Sequence, residues 1–286
     1  MKKSSGKPKV SIIIPTYNSG NTLSECLKGI FSQNYPFCEA IIVDNFSNDA
    51  TVAIAKEFEV KIIQQKCSPA LARNIGITNS AGKHIVFIDS DQVLSPTVIE
   101  ECVRKCEDEN VGMVRIPEVF IGKGFWGSCS AAWKNCYFVV EKTYGNNKGI
   151  MTGEPRFFLK EHIVQVGMLD DSLLWGEDYD LYIRMKAMNV KETSCKSKLY
   201  HYEPASIKSI LVKNLLYGKS MPTFVRQTQK QILSPMLKHA LLTFRKVLKD
   251  FKKSPAIIAG CIILLYLKAY SMMIGLIAGF IGRFSK

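Results

Sequence analysis

The sequence predicts an α/β fold, in which a mostly parallel sheet is flanked by helices and followed by a C-terminal helical region. Through residues 10–116, short apolar runs typical of buried strands alternate with stretches that repeat apolar residues at helical spacing. This alternation indicates a sheet with helices on both faces. Beyond residue 204 the strand pattern ends, and basic, amphipathic and then apolar stretches follow. We therefore expect two domains, residues 1–204 and 205–286.

The strands are predicted from β-branched and apolar runs, and the helices from apolar residues on one face. Pro15 closes the first run, and Pro69 lies in the first turn of the third helix, where proline is favoured. The predicted strands are Val10–Ile14, Glu39–Val43, Val60–Ile63, His84–Ile88, Gly112–Ile116 and Thr193–Tyr202. The predicted helices are Thr22–Gln33, Asp49–Phe58, Pro69–Ser80, Pro96–Glu107 and one that follows residues 174–180 and ends near Asn189. Residues 120–148 are predicted to be irregular and aromatic, forming a lid, an acceptor platform or ordinary packing.

Two carboxylates, Asp89 and Asp91, follow the strand His84–Ile88 with one small residue between them. If the chain stays extended, alternation sends both side chains to the same side. Two carboxylates at such a short distance repel each other. A divalent hard cation, which prefers oxygen ligands, is the simplest way to offset this repulsion. Such a cation could also hold a diphosphate. The alternative is an acidic turn whose carboxylates are solvated or cap a helix.

Polar residues follow three of the predicted strands. They are Pro15–Asn18 after the first strand, Asp44 after the second and Asp89–Asp91 after the fourth. Ligands of parallel sheets bind outside the carboxyl ends of the strands. The sequence therefore predicts one binding site at this edge of the sheet.

The net charge of +13 is confined to the C-terminal region. Residues 1–204 contain 24 Lys+Arg and 24 Asp+Glu, whereas residues 205–286 contain 14 and 1, and 14 − 1 = 13. A basic surface indicates nucleic acid or an anionic membrane. Because this basic region is apolar and lacks aromatics interleaved on a polar surface, we expect no nucleic acid. The nine Cys have no zinc-ligand spacing, which indicates reduced, buried thiols in an intracellular protein, and Met1–Lys9 has no signal-peptide pattern.

The C-terminal region is predicted to attach to the cytoplasmic face of the cell membrane. Met236–Phe251 has one apolar face with basic residues elsewhere, as in an interfacial helix. Ala256–Ile281 is apolar except for Lys268, and as a helix it would reach about 39 Å. A Lys at the bilayer centre costs about 3 kcal/mol, so we favour a monotopic hairpin divided at Lys268 over a full span. Basic residues at both ends agree with a cytoplasmic location; a soluble helical cap is the alternative.

Val10–Glu203 resembles family 2 of the inverting glycosyltransferases, which have a nucleotide-binding GT-A (Rossmann-like) fold. The resemblance rests on several motifs in a fixed order. They are Pro15-Thr16-Tyr17-Asn18, Val43-Asp44 with Ser47 and Asp49, Ala72-Arg73-Asn74, Asp89-Ser90-Asp91, Gly176-Glu177-Asp178 with Asp180 and Arg184, and His201.

The resemblance implies a site for a nucleotide sugar and a metal ion. Asp44 would accept a hydrogen bond from a base N–H, although it could instead cap the next turn. Arg73 would approach the diphosphate, although it could be an ordinary surface arginine. The implied nucleotide-sugar-binding residues are Pro15, Thr16, Tyr17, Asn18, Asp44, Arg73, Asp89 and Ser90. The implied ligands of Mn²⁺ or Mg²⁺ are Asp89, Asp91 and His201.

Asp178 is the residue that the resemblance implies as the catalytic base. Inverting transfer needs a base that deprotonates the acceptor while it attacks the anomeric carbon. Asp178 falls at a predicted helix N-terminus, where anionic charge is stabilised, so it could instead serve as an N-cap beside Glu177. Arg156 and Lys160 are further candidates for contact with the acceptor or a phosphate.

The implied function is metal-dependent, inverting transfer of a hexose from a UDP- or GDP-sugar to a lipid-linked or glycan acceptor. A polyprenyl or dolichyl phosphate would present its headgroup near Lys213, Lys219 and Arg226. One alternative is a catalytically weak, membrane-bound module that binds nucleotide sugars. Another is a nucleotidyltransferase, which needs a glycine-rich phosphate loop after the first strand, and Pro15–Gly20 offers none.

Overall fold

The structure, a computed structural model, describes residues 7–144, 155–173, 176–228 and 233–284. The chain divides into two compact units. The sheet unit comprises residues 1–118, 154–172 and 177–200, and the helical unit comprises residues 119–153, 173–176 and 201–286. Residues 119–153 thus group with the C-terminal residues, whereas the sequence suggested a single division after residue 204.

The secondary structure of the described residues alternates along most of the chain. The strands are β1 (Val10–Thr16), β2 (Cys38–Asp44), β3 (Val60–Gln64), β4 (His84–Phe87), β5 (Gln92–Leu94), β6 (Met113–Arg115), β7 (Glu118–Gly122), β8 (Phe157–Leu159), β9 (Glu192–Ser194) and β10 (Leu199–Glu203). The helices are α1 (Leu23–Phe31), α2 (Thr51–Ala55), α3 (Pro69–Thr78), α4 (Val98–Glu109), α5 (Gly124–Tyr144), α6 (Lys160–Gln165), α7 (Glu177–Ala187), α8 (Ile207–Thr228), α9 (Leu233–Asp250) and α10 (Pro255–Phe284).

A seven-stranded sheet with the order β3-β2-β1-β4-β8-β6-β9 forms the centre of the sheet unit. The strands β1 to β4 are parallel, with Val10 opposite both Cys38 and His84, and β6 is parallel to β9. Only β8 among these strands runs antiparallel to its neighbours. The prediction of a mostly parallel sheet flanked by helices is confirmed. The strands β5, β10 and β7 pair in that order in a second, three-stranded sheet.

The central strand β1 is buried on both faces, which explains its nearly continuous apolar sequence. Ile12 and Ile14 belong to the core on the side of α1, and Ile13 belongs to the core that includes Ile77 of α3. Helix α3 lies very close to β1, because a Cβ atom at Gly76 would meet Cγ2 of Ile13 at 2.3 Å. This close approach positions Arg73, which lies one helical turn before Gly76.

Two predictions about residues between 120 and 202 were wrong. Most of residues 120–148 is helical rather than irregular: β7 leads into the 21-residue helix α5, while residues 145–148 lie outside the described part. The buried face of α5 carries small residues, Cys129, Ala132 and Cys136. With aromatic residues between them, the sequence shows no clear helical repeat of large apolar residues. The predicted strand Thr193–Tyr202 is two strands, β9 and β10, which belong to different sheets because a bend at residues 196–197 separates them.

The helical unit has its own apolar core, formed by α5, α8, α9 and α10. Cys129 and Cys136 of α5 pack with Ile210, Val247 and Leu264 in this core. Helices α8 and α10 are in backbone contact. A Cβ atom at Gly218 would lie 2.0 Å from the carbonyl oxygen of Met272, and one at Gly275 would lie 2.1 Å from that of Leu215.

Helix α10 is continuous from Pro255 to Phe284 and has no break at Lys268. The predicted hairpin, divided into two halves at this lysine, is therefore wrong. The physical reason is that Lys268 lies on the face that packs inside the helical unit, where Ser130 of α5 accepts its hydrogen bond. Among the described residues, Pro255–Gly279 is one helical segment long and apolar enough to cross a membrane.

Candidate active site

Asp89 and Asp91 lie beyond the end of β4 rather than within an extended strand. The strand ends at Phe87, and Ser90 and Asp91 form a turn before β5. Gln92 closes this turn: the backbone N–H of Asp89 donates to Gln92 Oε1 (2.9 Å), and Gln92 Nε2 donates to Asp89 Oδ2 (3.1 Å). The expected strand alternation of the two carboxylates therefore does not apply, because the chain turns before Asp91.

Arg73 links the turn after β4 to the start of α7. Its Nη2 atom donates to Asp89 Oδ1 (2.9 Å), and its Nη1 atom donates to Glu177 Oε1 (2.8 Å). The same Nη1 atom lies 3.5 Å from Asp178 Oδ1. The residue is almost fully buried, and its guanidinium also lies over the ring of Phe87 at 5.7 Å. The structure thus places the predicted residues Arg73, Asp89 and Asp178 together.

A second arginine, Arg156, whose side chain is 14% exposed, completes this network. Its Nε atom donates to Glu118 Oε1 (2.6 Å), and its Nη1 atom lies 3.5 Å from Asp89 Oδ2. Asp89 is therefore held between two guanidinium groups. Lys160, the other predicted contact for an acceptor or a phosphate, instead donates to the backbone carbonyl of Ser80 at 2.7 Å, just beyond the end of α3.

The charges of this network are strongly coupled. Burial lowers the pKa of Arg73, but the carboxylates of Asp178, Asp89 and Glu177 outweigh it and raise that pKa above the usual value, so Arg73 stays cationic. Burial and the nearby Asp178 raise the pKa of Glu177. Asp178 differs from Glu177 in accessibility, because its side chain is 35% exposed and that of Glu177 is 13% exposed. Asp178 is the carboxylate of this pair that an incoming molecule can reach.

Asp44, at the end of β2, is fully buried and holds the neighbouring loop together. It accepts hydrogen bonds from Thr16 Oγ1 (2.9 Å), Ser47 N (2.9 Å), Ser47 Oγ (2.5 Å) and Gln64 Nε2 (3.2 Å). Burial raises the pKa of Asp44, but these hydrogen bonds outweigh it and hold the pKa below its usual value. The capping contact to the next turn, which was the alternative interpretation of Asp44, is present in the structure.

The loop after β1 presents an aromatic face to solvent. Tyr17 is 61% exposed. Asn18 has a left-handed backbone (φ 50°); its N–H donates to Ser47 Oγ (2.8 Å), and its Oδ1 accepts from Asn48 N (3.0 Å). Ser90 Oγ donates to Ser19 Oγ at 2.8 Å. Hydrogen bonds thus fix this loop while the Tyr17 ring stays available for stacking.

His201 lies in β10 within the helical unit and is mostly buried. Its ring packs against Phe120 with the centroids 5.1 Å apart. Within the described ranges, no group of three or more His, Cys, Asp or Glu residues could hold a metal ion. Carboxylate oxygens at the turn after β4 fit Mg²⁺ or Mn²⁺, which prefer such ligands, but a bound diphosphate would have to supply the remaining oxygens.

Several residues of the network carried little signal in the sequence. Glu177 looked like an ordinary first-turn acid, and Glu118 belonged to no motif. Gln92, directly after Asp91, also belonged to no motif. Burial and partner identity distinguish these residues, and both follow from the assembly of β4, β7, α3 and α7 rather than from local spacing.

The mostly parallel sheet flanked by helices has the fold of the GT-A glycosyltransferases. Solved structures support this fold. The structure of S. aureus TarS 1-349 in complex with UDP has a TM-score of 0.57 at 16% identity and covers 97% of this chain and 92% of that one. The mannosyltransferase PcManGT from Pyrobaculum calidifontis, in complex with GDP-Man and Mn²⁺, has a TM-score of 0.61 at 18% identity and covers 97% of this chain and 87% of that one.

The chain belongs to glycosyl transferase family 2, whose model matches residues 11–167, more than half of the sequence. A glycosyltransferase, GlyA of Streptococcus pneumoniae, is 34% identical over 103 residues, or 34% of this chain and 15% of that protein. The uncharacterized glycosyltransferase YibD of Escherichia coli is 27% identical over 158 residues, or 51% of this chain and 42% of that protein. The matched parts thus span less than half the length of these relatives.

Proposed function

We propose that this protein transfers a sugar, with inversion, from a nucleotide diphosphate sugar to an acceptor, with Asp178 as the catalytic base. The observation that carries this proposal is the position of Asp178. It is the accessible carboxylate in the first turn of α7, and Arg73 ties it to the turn that follows β4.

In the proposed reaction, Asp178 accepts the proton of the acceptor hydroxyl as its oxygen attacks the anomeric carbon. The new bond from that carbon to the acceptor oxygen forms while the bond to the diphosphate oxygen breaks, and the nucleoside diphosphate leaves with the electron pair. Asp89 and Asp91 would hold Mg²⁺ or Mn²⁺, which would supply positive charge to stabilise this leaving group. Arg73 and Arg156 hold Asp89 and Asp178 in place, which keeps the base aligned with the donor.

The donor is proposed to occupy the loop after β1 and the turn after β4. Tyr17 offers an exposed ring for stacking on the base, and the buried Asp44–Thr16 pair fixes the pocket wall behind it. Asp44 already accepts four hydrogen bonds, so direct contact with a base N–H would require it to exchange the weakest, from Gln64. UDP and GDP are both compatible with this site, and the complexes of TarS with UDP and of PcManGT with GDP-Man support a nucleotide-sugar donor.

The helical unit is proposed to attach the enzyme to the cytoplasmic face of the cell membrane. The outer face of α10 exposes large apolar side chains at helical spacing. They are Ile262, Ile263, Tyr266, Tyr270, Met273, Ile274 and Ile277. Together with the excess of 13 positive charges after residue 204, this face suits an anionic bilayer. An enzyme held there would meet an acceptor that is lipid-linked, such as a polyprenyl or dolichyl phosphate or a glycan carried on one.

Substitution of Asp178 tests the proposed function. In Asp178→Asn the amide keeps the shape of the side chain but loses the basic oxygen, so we expect transfer to a hydroxyl acceptor to fall by about two to four orders of magnitude. Donor affinity, measured by calorimetry with UDP- and GDP-sugars, should stay within a few-fold. The matched control is Asp108→Asn, an exposed carboxylate of α4, which should leave both quantities unchanged. Near-normal transfer by Asp178→Asn would assign the base to another residue.

A further inference from the structure

Phe46 is a bulky residue with a strained backbone at the carboxyl edge of the sheet. It lies two residues after Asp44, the last residue of β2, and its φ of 52° places it in the left-handed region. A large side chain rarely adopts this conformation, because it costs free energy. Strain of this kind persists where the surrounding structure imposes it, and it is concentrated at functional positions.

Packing inside the protein does not compensate for this strain. The side chain of Phe46 is 59% exposed, and within the described ranges its ring stacks on no other ring. Met168 also has a positive φ (63°), but its side chain packs against the apolar core that includes Leu169. The other described non-glycine residues with positive φ are asparagines, which tolerate this conformation. Phe46 is thus the bulky residue of this group whose ring remains accessible to a ligand.

Hydrogen bonds on both sides hold Phe46 in this conformation. Before it, the N–H of Asn45 donates to the carbonyl oxygen of Thr16 at 2.9 Å. After it, the N–H of Ser47 donates to Oδ2 of the buried Asp44 at 2.9 Å. The loop is therefore fixed before a ligand arrives, and a ring presented by a fixed loop loses little conformational entropy when it binds.

The loop of Phe46 is joined to the loop after β1, which carries Tyr17. The hydrogen bond of Asn45 connects the residue before Phe46 to the residue before Tyr17. A second one connects the residues after them, because the N–H of Asn18 donates to Ser47 Oγ at 2.8 Å. Phe46 and Tyr17 lie between these two contacts, and both side chains are largely exposed. Two aromatic residues thus occupy corresponding positions in adjacent loops.

We infer that Phe46 stacks on the base of the nucleotide sugar and forms, together with Tyr17, the aromatic surface of the donor site. Every nucleobase offers a flat π-face to an aromatic ring, so this contact suits the base of UDP or of GDP. The ring contact with the base accounts for a strained, exposed phenylalanine that packs on nothing in the protein itself. The inference rests on the proposed function, because it assigns a contact of the nucleotide donor.

The order of the strands places this contact at the base of the donor rather than at the acceptor. β2 and β4 flank β1, so at about 4.8 Å between neighbouring strands their ends lie roughly 10 Å apart. Phe46 follows β2, whereas Asp89 follows β4 and is tied through Arg73 to Asp178. In a nucleotide diphosphate sugar, the ribose and the diphosphate separate the base from the anomeric carbon. The base can therefore contact Phe46 while the anomeric carbon lies near Asp178.

Calorimetric titration of the full-length protein in detergent with UDP and with GDP, in the presence of Mn²⁺, tests this contact. Phe46→Asn removes the ring and suits the left-handed backbone. It should weaken the better-bound nucleotide by about five- to a hundredfold, the scale expected for loss of one base-stacking ring. Phe46→Trp keeps an aromatic face and should stay within about threefold of the wild type. Inorganic pyrophosphate, which has no base, should bind to Phe46→Asn and to the wild type equally.

Thermal unfolding separates base stacking from a structural role. Because Phe46→Asn relieves backbone strain and removes little buried surface, its Tm should equal or exceed that of the wild type. A Tm lower by more than about 4 °C would overturn the inference, because Phe46 would then stabilise the fold by more than about 1 kcal/mol. The matched control is Phe37→Asn, an exposed phenylalanine just before the opposite end of β2, which should bind nucleotides like the wild type.

The outcomes separate the contact from the proposed function. Unchanged affinity of Phe46→Asn for UDP and GDP would overturn the contact, even if the protein transfers sugar. An equal loss of pyrophosphate affinity would also overturn it, because the missing contact would then not involve the base. A loss of affinity confined to the nucleotides, in a protein that transfers no sugar, would leave the contact in place and overturn the transfer function.

Discussion

Replacement of Arg73 gives the sharpest test of how the active site is held together. This buried guanidinium contacts Asp89 and Glu177 at 2.9 and 2.8 Å and lies 3.5 Å from Asp178. In Arg73→Met the aliphatic length is retained, so the packing against Phe87 is largely preserved while the charge is lost. Three neighbouring carboxylates would then repel each other, and Glu177 would lose its hydrogen-bond donor.

The magnitude follows from burial. Removing one partner of a buried ion pair costs about 3–5 kcal/mol, because the remaining charge is left without compensation. Asp89 keeps Arg156 at 3.5 Å, and Asp178 is partly solvated, so the lower end of this range is expected. At about 2–4 °C per kcal/mol for a chain of this size, a loss of about 3 kcal/mol lowers the Tm by about 6–12 °C.

The assay is thermal unfolding of the full-length protein in detergent, arranged as a double-mutant cycle with Glu177→Gln. The double variant Arg73→Met/Glu177→Gln removes one of the repelling charges and should recover at least about 1 kcal/mol relative to the sum of the single changes. Arg104→Met, an exposed arginine of α4, is the matched control and should stay within about 0.5 kcal/mol of the wild type. A loss below 1 kcal/mol for Arg73→Met, or strictly additive single changes, would refute the reasoning.

Three further predictions concern the metal, the pH dependence and the membrane. Calorimetry should detect binding of Mn²⁺ or Mg²⁺ only when a nucleoside diphosphate is present, and Asp91→Ala should abolish this metal binding. Tight metal binding by the protein alone, unchanged in Asp91→Ala, would contradict the proposed metal site. Burial lowers the pKa of His84 to about 4, so its contribution to stability is complete above about pH 6.5 and is lost as the pH falls towards 4. Between pH 6.5 and 4, the free energy of unfolding should therefore fall by about 3 kcal/mol more in the wild type than in His84→Leu. Parallel pH profiles for the two proteins would show that His84 makes no such contribution. In cell fractionation, the full-length protein should pellet with membranes at low and high salt. The double variant Tyr266→Glu/Ile277→Glu should shift the protein towards the soluble fraction. The control variant Val164→Glu, at an exposed position of α6, should still pellet with membranes. A full-length protein that stays soluble without detergent would contradict membrane attachment and remove the argument for a lipid-linked acceptor.

The alternation of strands and helices in the first half of the chain was predictable from the sequence because its signals are local. Short apolar runs such as Val10–Ile14 predict strands from local sequence. Where a helix connects two consecutive strands, a right-handed crossover makes the strands parallel. The carboxyl edge of the sheet, with Asp44 and Asp89, was predictable for the same reason. The helix α5 was not, because its buried face consists of small residues whose role depends on what packs against them.

The contacts of the site depended on the tertiary structure. The resemblance to family 2 glycosyltransferases implied that Arg73, Asp89 and Asp178 belong to one site, yet it carried no information about their pairing. Residues 73 and 178 meet only when α3 and α7 pack on the same sheet. Continuity of α10 was likewise beyond the sequence. A lysine in an apolar segment predicts a break when it must face lipid, but Lys268 faces Ser130 and Glu203, whose positions follow from the fold of the helical unit. The sequence by itself determined which residues are chemically able to act, whereas the fold determined which of them are partners, because charge compensation depends on distance in space.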